Sequence, residues 1–242
     1  MKEYIFQMQE FQVYHRDSAM KVGTDSLLLG AWCPLKGSEQ YILDIGSGCG
    51  ILSLMIAQRA KHANVYGVEV DEASFYESIH NLQQSPWSQR MQMYNMDIRQ
   101  YQPEVLFDLI ISNPPFYGSL LPFTPERTRA RHQSSLDSLE LLKSVHALLR
   151  HKGSFCMVLP FDQLDSFSRI ALKHQLHVNQ IVEVRHLPSS VPSRVLLKFA
   201  KEQTDVDHQN LTIGDTDCRT EAYESLLSPF LVRGKIKKAT RK

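Results

Sequence analysis

The stretch "YILDIGSGCGILSLMIAQRA", residues 41–60, decides the fold class of this chain. An apolar run predicts a buried strand, a turn with three glycines follows, and apolar residues then recur at helical spacing. Further along, short apolar runs keep alternating with helical stretches, including one at 71–84 and one from an N-capping Ser135 to Gly153. This alternation is typical of βαβ units and predicts a parallel sheet.

The apolar runs predict seven strands, at residues 41–46, 64–70, 90–97, 107–113, 154–160, 177–188 and 193–201. The last two surround a proline-containing turn, which indicates an antiparallel pair. We therefore predict a doubly wound α/β fold of Rossmann-like type, with a mostly parallel seven-stranded sheet that ends in this antiparallel strand pair. The domain is expected at 41–201, preceded by a segment at 1–40 that covers its cleft and followed by a C-terminal extension at 202–242.

Composition narrows the class of protein. The chain has 242 residues, of which 43% are hydrophobic and 22% are charged, as in ordinary globular proteins. No apolar run approaches the ~20 residues that a membrane span requires, so we expect no membrane association. The four cysteines are far apart without a C-x-x-C pair, which argues against a zinc site or a disulfide framework. We expect a cytoplasmic protein that binds no metal.

The net charge of +1 gives no overall nucleic-acid signature, but the charge is distributed unevenly. The last ten residues, "RGKIKKATRK", carry six bases and no acid. Such a tail is either a phosphate-binding arm or a solvated disordered end, and the residues alone do not choose between the two.

Three glycines, Gly46, Gly48 and Gly50, occupy the turn between the first strand and its helix. Glycine there permits a tight turn and close approach of the backbone to a ligand. Glu69 ends the second strand, where a carboxylate commonly binds a ribose diol. Both NAD and S-adenosylmethionine carry that diol, but the spacing G-x-G-x-G differs from the G-x-G-x-x-G of dinucleotide enzymes.

The end of the third strand, "MDI", adds Asp97 and Ile98 at the same edge of the sheet. The Asp97 carboxylate can accept a hydrogen bond from the exocyclic amine of a cofactor adenine, and Ile98 can supply an apolar face. Together with Asp44 before the glycine turn, these residues are the predicted cofactor-binding set.

The fourth strand runs into "SNPPF", which supplies Asn113, Pro114, Pro115 and Phe116. The exocyclic amine of adenine is a poor nucleophile because its lone pair is delocalised into the ring. Two acceptors, the Asn113 side-chain oxygen and the Pro114 carbonyl, can each bind one N–H and favour a tetrahedral nitrogen. The prolines fix the backbone, and Phe116 can stack on the base. A rigid strand-ending turn is the purely structural alternative.

The motifs "LDIGSGCG", "VEV", "MDI" and "SNPPF", in this order, resemble class I S-adenosylmethionine-dependent methyltransferases. The resemblance implies S-adenosylmethionine as the cofactor, with Asn113 also at its site. An N-P-P-[FY] motif resembles that of amino-methyltransferases acting on adenine, on guanine in RNA or on a protein glutamine. It therefore implies the reaction type and leaves the substrate open.

The N-terminal stretch "YHRDSAMKVGTDSLLLGAW", residues 14–32, bears on the substrate. It resembles the "KVGTD" signature of bacterial tRNA adenine-N6-methyltransferases, which modify adenine 37 beside the anticodon of a valine tRNA. The resemblance extends from about residue 5 to 200 and implies a tRNA partner. It also implies that Lys21 and Asp25 reach over the cofactor's methionine end and the incoming base. On a plain interpretation, Asp25 merely caps an amphipathic helix that packs on the sheet.

Substrate-binding candidates also follow the "NPPF" motif. Tyr117 is adjacent to it, and "TPERTRARHQ" adds Arg127, Arg129 and Arg131 at alternating positions, which suits RNA phosphates. A solvated loop is the alternative. The leading hypothesis is an RNA adenine-N6-methyltransferase, expected to be a monomer. Guanine-N2 or glutamine methylation, a nucleotide-dependent oxidoreductase and a catalytically silent RNA-binding protein are the competing hypotheses.

Overall fold

The structure of the protein is a computed structural model that describes residues 4–114, 138–215 and 218–232. A short antiparallel hairpin comprises β1 (Ile5–Gln7) and β2 (Gln12–Tyr14). The large sheet comprises β3 (Tyr41–Ile45), β4 (Asn64–Glu69), β5 (Met91–Asn95), β6 (Phe107–Ser112), β7 (Leu149–Pro160), β8 (His177–Arg185), β9 (Arg194–Ala200) and β10 (Asp207–Thr212). The helices are α1 (Thr24–Trp32), α2 (Ile51–Arg59), α3 (Glu72–Gln83), α4 (Ser138–Leu148), α5 (Leu164–Lys173) and α6 (Glu221–Leu227).

The strand order of the large sheet is β10-β8-β9-β7-β6-β3-β4-β5. Within the large sheet, as far as the structure describes it, β9 is the one strand that runs antiparallel to its neighbours, β7 and β8. The predicted mostly parallel sheet with a terminal antiparallel pair is confirmed. An eighth strand, β10, extends the sheet beside β8 and was not predicted, because "DHQNLT" is a largely exposed edge strand without an apolar run.

The junction between α4 and β7 differs from the prediction. The helix ends at Leu148, and the strand begins at Leu149 instead of residue 154. The pairing of β7 with β6 jumps from Leu149 to Ser154 across an irregularity. A Cβ on Gly153 would lie 2.7 Å from Leu149 Cδ1 and 3.0 Å from the Arg150 carbonyl oxygen. This glycine therefore permits close packing within the strand and does not end a helix.

Helices cover both faces of the sheet. One apolar cluster joins the sheet to α1, α2, the β1–β2 hairpin and α6, and the other joins it to α4 and α5. The two ends of the described chain meet on the first face, where the Gln9 amide donates to the Phe230 carbonyl at 2.8 Å. The described residues between 207 and 232 therefore pack with the domain. Residues 216 and 217 and the basic tail at 233–242 lie outside the described residues.

The topology creates one crevice at the carboxyl edge of the sheet. The chain proceeds from β3 through β4 to β5 on one side, then crosses back to β6 on the other. In open parallel sheets, ligands bind at such a reversal of strand order. Within the described part of the chain, no helix has the length and apolar character needed to cross a lipid bilayer.

Candidate active site

A cavity of about 500 Å³ opens at the carboxyl ends of the neighbouring strands β3 and β6. It is lined by the ends of four neighbouring strands and by the N-terminal segment. The predicted site residues on its wall are Lys21, Gly46, Gly48, Glu69, Asp97, Ile98, Asn113 and Pro114. Residues from five separate sequence motifs thus line one cavity.

The glycine turn exposes backbone to this cavity. Gly46 and Gly48 have φ angles of 70° and 54°, which side-chain-bearing residues rarely adopt. A Cβ at either position would meet nothing within 4 Å, so open space lies where a ligand can approach the main chain. Gly50 differs, because it is the N-cap residue of α2 and does not line the cavity. A Cβ there would lie 3.4 Å from Ser78 Cβ and from Leu82 Cδ1.

Asp44 lies beneath the glycine turn and does not line the cavity. Its side chain is fully buried, and Oδ2 accepts hydrogen bonds from the Ser53 amide at 3.1 Å and the Ser53 hydroxyl at 2.6 Å. A carboxylate at this position stabilises the N-terminal turn of α2. Burial, with a smaller contribution from the charge of Glu69, raises the pKa of Asp44 to about 7.

Glu69 connects the glycine turn to the end of β4. One carboxylate oxygen accepts from the Gly48 amide and the other from the Asp71 amide, each at 2.8 Å. The side chain still lines the cavity, although the residue is only 9% exposed. Each oxygen has further lone pairs, so the carboxylate can accept hydrogen bonds from ligand hydroxyls while holding the turn.

Asp97 has a partner that the sequence analysis did not consider. The Arg99 Nε donates to both Asp97 carboxylate oxygens, at 2.9 and 3.0 Å, and the Arg99 amide donates to Oδ1 at 2.9 Å. Hydrogen bonding to the Arg99 side chain lowers the pKa of Asp97, which keeps it an ionised acceptor. The adjacent Ile98 is buried and forms part of the cavity wall.

Asn113 follows β6 directly, beside Pro114. Its side-chain Nδ2 donates to the Ser26 hydroxyl at 2.9 Å, and Ser26 lies in the first turn of α1. The sequence analysis did not identify Ser26. No periodic pattern signals a contact between residues 87 positions apart.

Polar side chains on α3 bind the backbone of the segment that precedes α1. The Glu77 carboxylate accepts from the amides of Asp17 and Ser18 at 2.8 and 2.9 Å, and Ser74 Oγ accepts from the Ala19 amide at 3.1 Å. Asn81, one turn further along α3, accepts a hydrogen bond from the Tyr14 amide. Its Nδ2 donates to the Tyr14 carbonyl and to the Cys49 carbonyl of the glycine turn. Buried polar residues recurring on one face of α3 were the signal that sequence reasoning missed.

Two predicted substrate residues occupy different positions relative to the cavity. Lys21 lines it and is exposed, and its ammonium also donates to the carbonyls of Arg16 and Ser18 at 2.5 and 3.0 Å. Asp25 does not line the cavity, since its carboxylate pairs with Arg194 of β9 at 2.9 Å. The interpretation of Asp25 as a helix cap is wrong: Gly23 is the N-cap residue, without a side-chain bond.

The remaining predicted residues lie outside the described residues. They are Pro115, Phe116, Tyr117, Arg127, Arg129 and Arg131. Within the ranges that the structure describes, no group of three or more His, Cys, Asp or Glu side chains is arranged to hold a metal ion.

Known proteins resemble this chain in sequence and in fold. A family model described as "Methyltransferase small domain" matches residues 18–164. A Bacteroides thetaiotaomicron protein named tRNA1(Val) (adenine(37)-N6)-methyltransferase is 40% identical over 82% of this chain and 84% of its own. A Citrobacter koseri protein of the same name is 38% identical over 93% of this chain and 94% of its own.

Solved structures show the same architecture at low sequence identity. A predicted O-methyltransferase from Agrobacterium tumefaciens superposes with a TM-score of 0.67 at 16% identity, covering 85% of this chain and 96% of that one. An O-methyltransferase from a Brevibacillus brevis multienzyme, in complex with S-adenosyl-L-homocysteine, gives 0.52 at 14% identity, with 73% and 71% covered. At this identity the likeness concerns the fold alone.

Replacing Glu69 by Ala should weaken the binding of S-adenosylmethionine about tenfold to hundredfold. The variant loses a charged acceptor and also releases the glycine turn, and hydrogen bonds to charged groups are worth roughly 1.5–3 kcal/mol. Titration calorimetry measures the change. Glu72→Ala, an exposed glutamate of the neighbouring α3, is the matched control and should bind normally. Equal affinities of wild type and Glu69→Ala would remove Glu69 from the cofactor site.

The free energy of unfolding should fall with rising pH because of Asp44. Its folded-state pKa of about 7 exceeds the unfolded value of about 4, so the folded protein holds a proton that the unfolded chain releases. Relative to Asp44→Asn, the wild type should lose free energy of unfolding between about pH 4 and pH 7. Urea unfolding across this range measures the difference. The exposed Asp165→Asn should retain the wild-type profile, and a pH-independent difference between wild type and Asp44→Asn would contradict the assignment.

Proposed function

The chain belongs to the methyltransferase small domain family, and from that premise we infer that it is an S-adenosylmethionine-dependent tRNA (adenine-N6)-methyltransferase. We propose adenine 37, next to the anticodon of valine tRNA, as its target. The observation that carries this function is the meeting of a nucleoside-type site and the Asn113–Pro114 pair in one cavity. The names of relatives at 38–40% identity over most of the chain support the adenine target.

The residues present fit the cofactor. Glu69 can accept hydrogen bonds from ribose hydroxyls, and the open space at Gly46 and Gly48 lets the main chain approach the ligand. Asp97 can accept from the adenine amine on its lone pairs that do not face Arg99, and Ile98 supplies an apolar wall. Asp44 and Gly50 do not contact the cofactor directly. Asp44 holds the first turn of α2, and Gly50 allows α2 to pack against α3.

Asn113 and Pro114 act on the substrate. The carboxamide oxygen and the Pro114 carbonyl each accept one N–H of the adenine amine, which draws its lone pair out of conjugation. Both bonds strengthen as the nitrogen becomes tetrahedral, so they stabilise the transition state more than the ground state. When bound, S-adenosylmethionine supplies a methyl group on a sulfonium, which is already activated for transfer. The chain therefore does not need a strong general base.

We propose that recognition of the RNA falls to Lys21 at the cavity and to residues outside the described part of the chain. Lys21 offers an exposed ammonium there. We assign base stacking to Phe116 and Tyr117, and phosphate contacts to Arg127, Arg129, Arg131 and the basic tail. An adenine must leave its stack to enter a crevice, which is cheapest in a loop such as that of the anticodon. We further propose that the protein is a cytoplasmic monomer and that residues 1–40 cover the cleft.

Transfer of labelled methyl groups tests the function. Purified protein is given labelled S-adenosylmethionine with total tRNA from a strain that lacks the gene, and separately with protein substrates. Label should appear as N6-methyladenosine in tRNA, and mapping should locate it beside the valine anticodon. Label in guanosine or in protein glutamine, the two alternatives that share the N-P-P-F chemistry, would contradict the proposal.

Replacing Asn113 by Ala should lower the single-turnover rate about 10²–10³-fold, the usual effect of losing one acceptor or donor that acts on developing charge. The affinity for S-adenosylmethionine should stay near that of the wild type, as calorimetry can show. Asn210→Ala, at an exposed position of β10, serves as the control and should turn over normally. A rate within tenfold of the wild type would mean that the amine is activated in another way.

A further inference from the structure

We propose that Ser26 is a positioning residue for the methyl-transfer step, which it serves by fixing the Asn113 carboxamide with its oxygen available to the target amine. This inference rests on the proposed function. The observation behind it is the single hydrogen bond from Asn113 Nδ2 to Ser26 Oγ at 2.9 Å. Both residues line the cavity, and Ser26 is only 8% exposed.

The chemistry of a carboxamide explains why a partner is needed. An asparagine side chain has a donor end and an acceptor end of nearly the same shape, and its terminal torsion is broad. Only the oxygen can accept an N–H from an adenine amine. The NH₂ end would place donors against donors. A hydrogen bond that engages Nδ2 elsewhere therefore selects the reactive orientation.

Contacts at both ends of α1 fix the position of Ser26. Its neighbour Asp25 pairs with Arg194 of β9 at 2.9 Å, which fastens the first turn of α1 to the sheet. At the other end of the helix, Arg59 Nη1 donates to the Gly30 carbonyl at 2.8 Å. Gly30 packs so closely on α2 that a Cβ there would lie 2.7 Å from Met55 Sδ. The hydroxyl thus comes from a rigid helix.

This arrangement gives the N-terminal segment a second role. Besides covering the cavity, it supplies a hydroxyl that orients a side chain of the catalytic strand end. The Asp25–Arg194 pair then serves the reaction through Ser26, which accounts for an acidic residue that neither caps α1 nor lines the cavity.

The test is a double-mutant cycle on tRNA methylation. Ser26→Ala should lower kcat about tenfold to hundredfold, the scale expected when a reacting group loses its alignment. The KM for tRNA and the affinity for S-adenosylmethionine should change less than about threefold, because the cofactor contacts and the RNA contacts remain. In the Asn113→Ala background the same substitution should cost almost nothing, since no carboxamide remains to be oriented.

Other variants guard against a folding defect. Ser26→Thr retains the hydroxyl and should recover most of the rate. Ser26→Cys, whose sulfur is a weaker acceptor, should lie between Ala and wild type. Thermal unfolding and cofactor titration establish that each variant is folded.

The outcomes separate this inference from the proposed function. A wild-type protein that forms no N6-methyladenosine in tRNA overturns the function itself. If the wild type is active and Asn113→Ala is impaired, a folded Ser26→Ala with normal kcat overturns only the role of Ser26. An equal cost of Ser26→Ala with and without Asn113 also overturns it, because it would indicate general damage to the site.

Discussion

Parallel pairing of β3 with both β4 and β6 is the constraint on which the rest of the site depends. In register, Ile45 lies beside Val68 on one side and Ser112 on the other. The residues that follow these three, Gly46, Glu69 and Asn113, therefore lie at the same edge of the sheet. The strand register thus brings the glycine turn, Glu69 and Asn113 together at this edge. Hydrogen bonds from the Gly48 and Asp71 amides to Glu69 then hold the edge together.

The N-terminal segment contributes to the cavity wall through Ala19, Met20, Lys21 and Ser26. Glu77 on α3 accepts from the amides of Asp17 and Ser18, and Asn81 bonds to the backbone of Tyr14. The segment is therefore fixed by buried and partly buried hydrogen bonds in addition to apolar packing. Partly satisfied buried polar groups are costly, whereas satisfied ones specify a single arrangement. The segment therefore presents both Lys21 and Ser26 to the cavity in defined positions.

Sequence reasoning found the strands that carry apolar runs and the residues at their ends. It missed β10 because an exposed edge strand has no apolar run, and it extended α4 because Gly153 resembles a helix stop. It predicted Asp44 as a cofactor-binding residue but did not indicate that this side chain is buried against Ser53, because a motif gives position along the chain and not side-chain direction. The bond between Ser26 and Asn113 depends on how α1 docks on the sheet. No local pattern encodes that docking.

The central claim is that one crevice holds the cofactor at the β3–β4 edge and presents a planar amine to Asn113 and Pro114. A crystal structure with S-adenosylhomocysteine and an RNA anticodon stem-loop tests it most directly. The account predicts the target adenine N6 within about 2.7–3.2 Å of Asn113 Oδ1 and of the Pro114 carbonyl oxygen, with the ribose hydroxyls on Glu69. An adenine amine bound by other groups, with the carboxamide oxygen turned away, would contradict it.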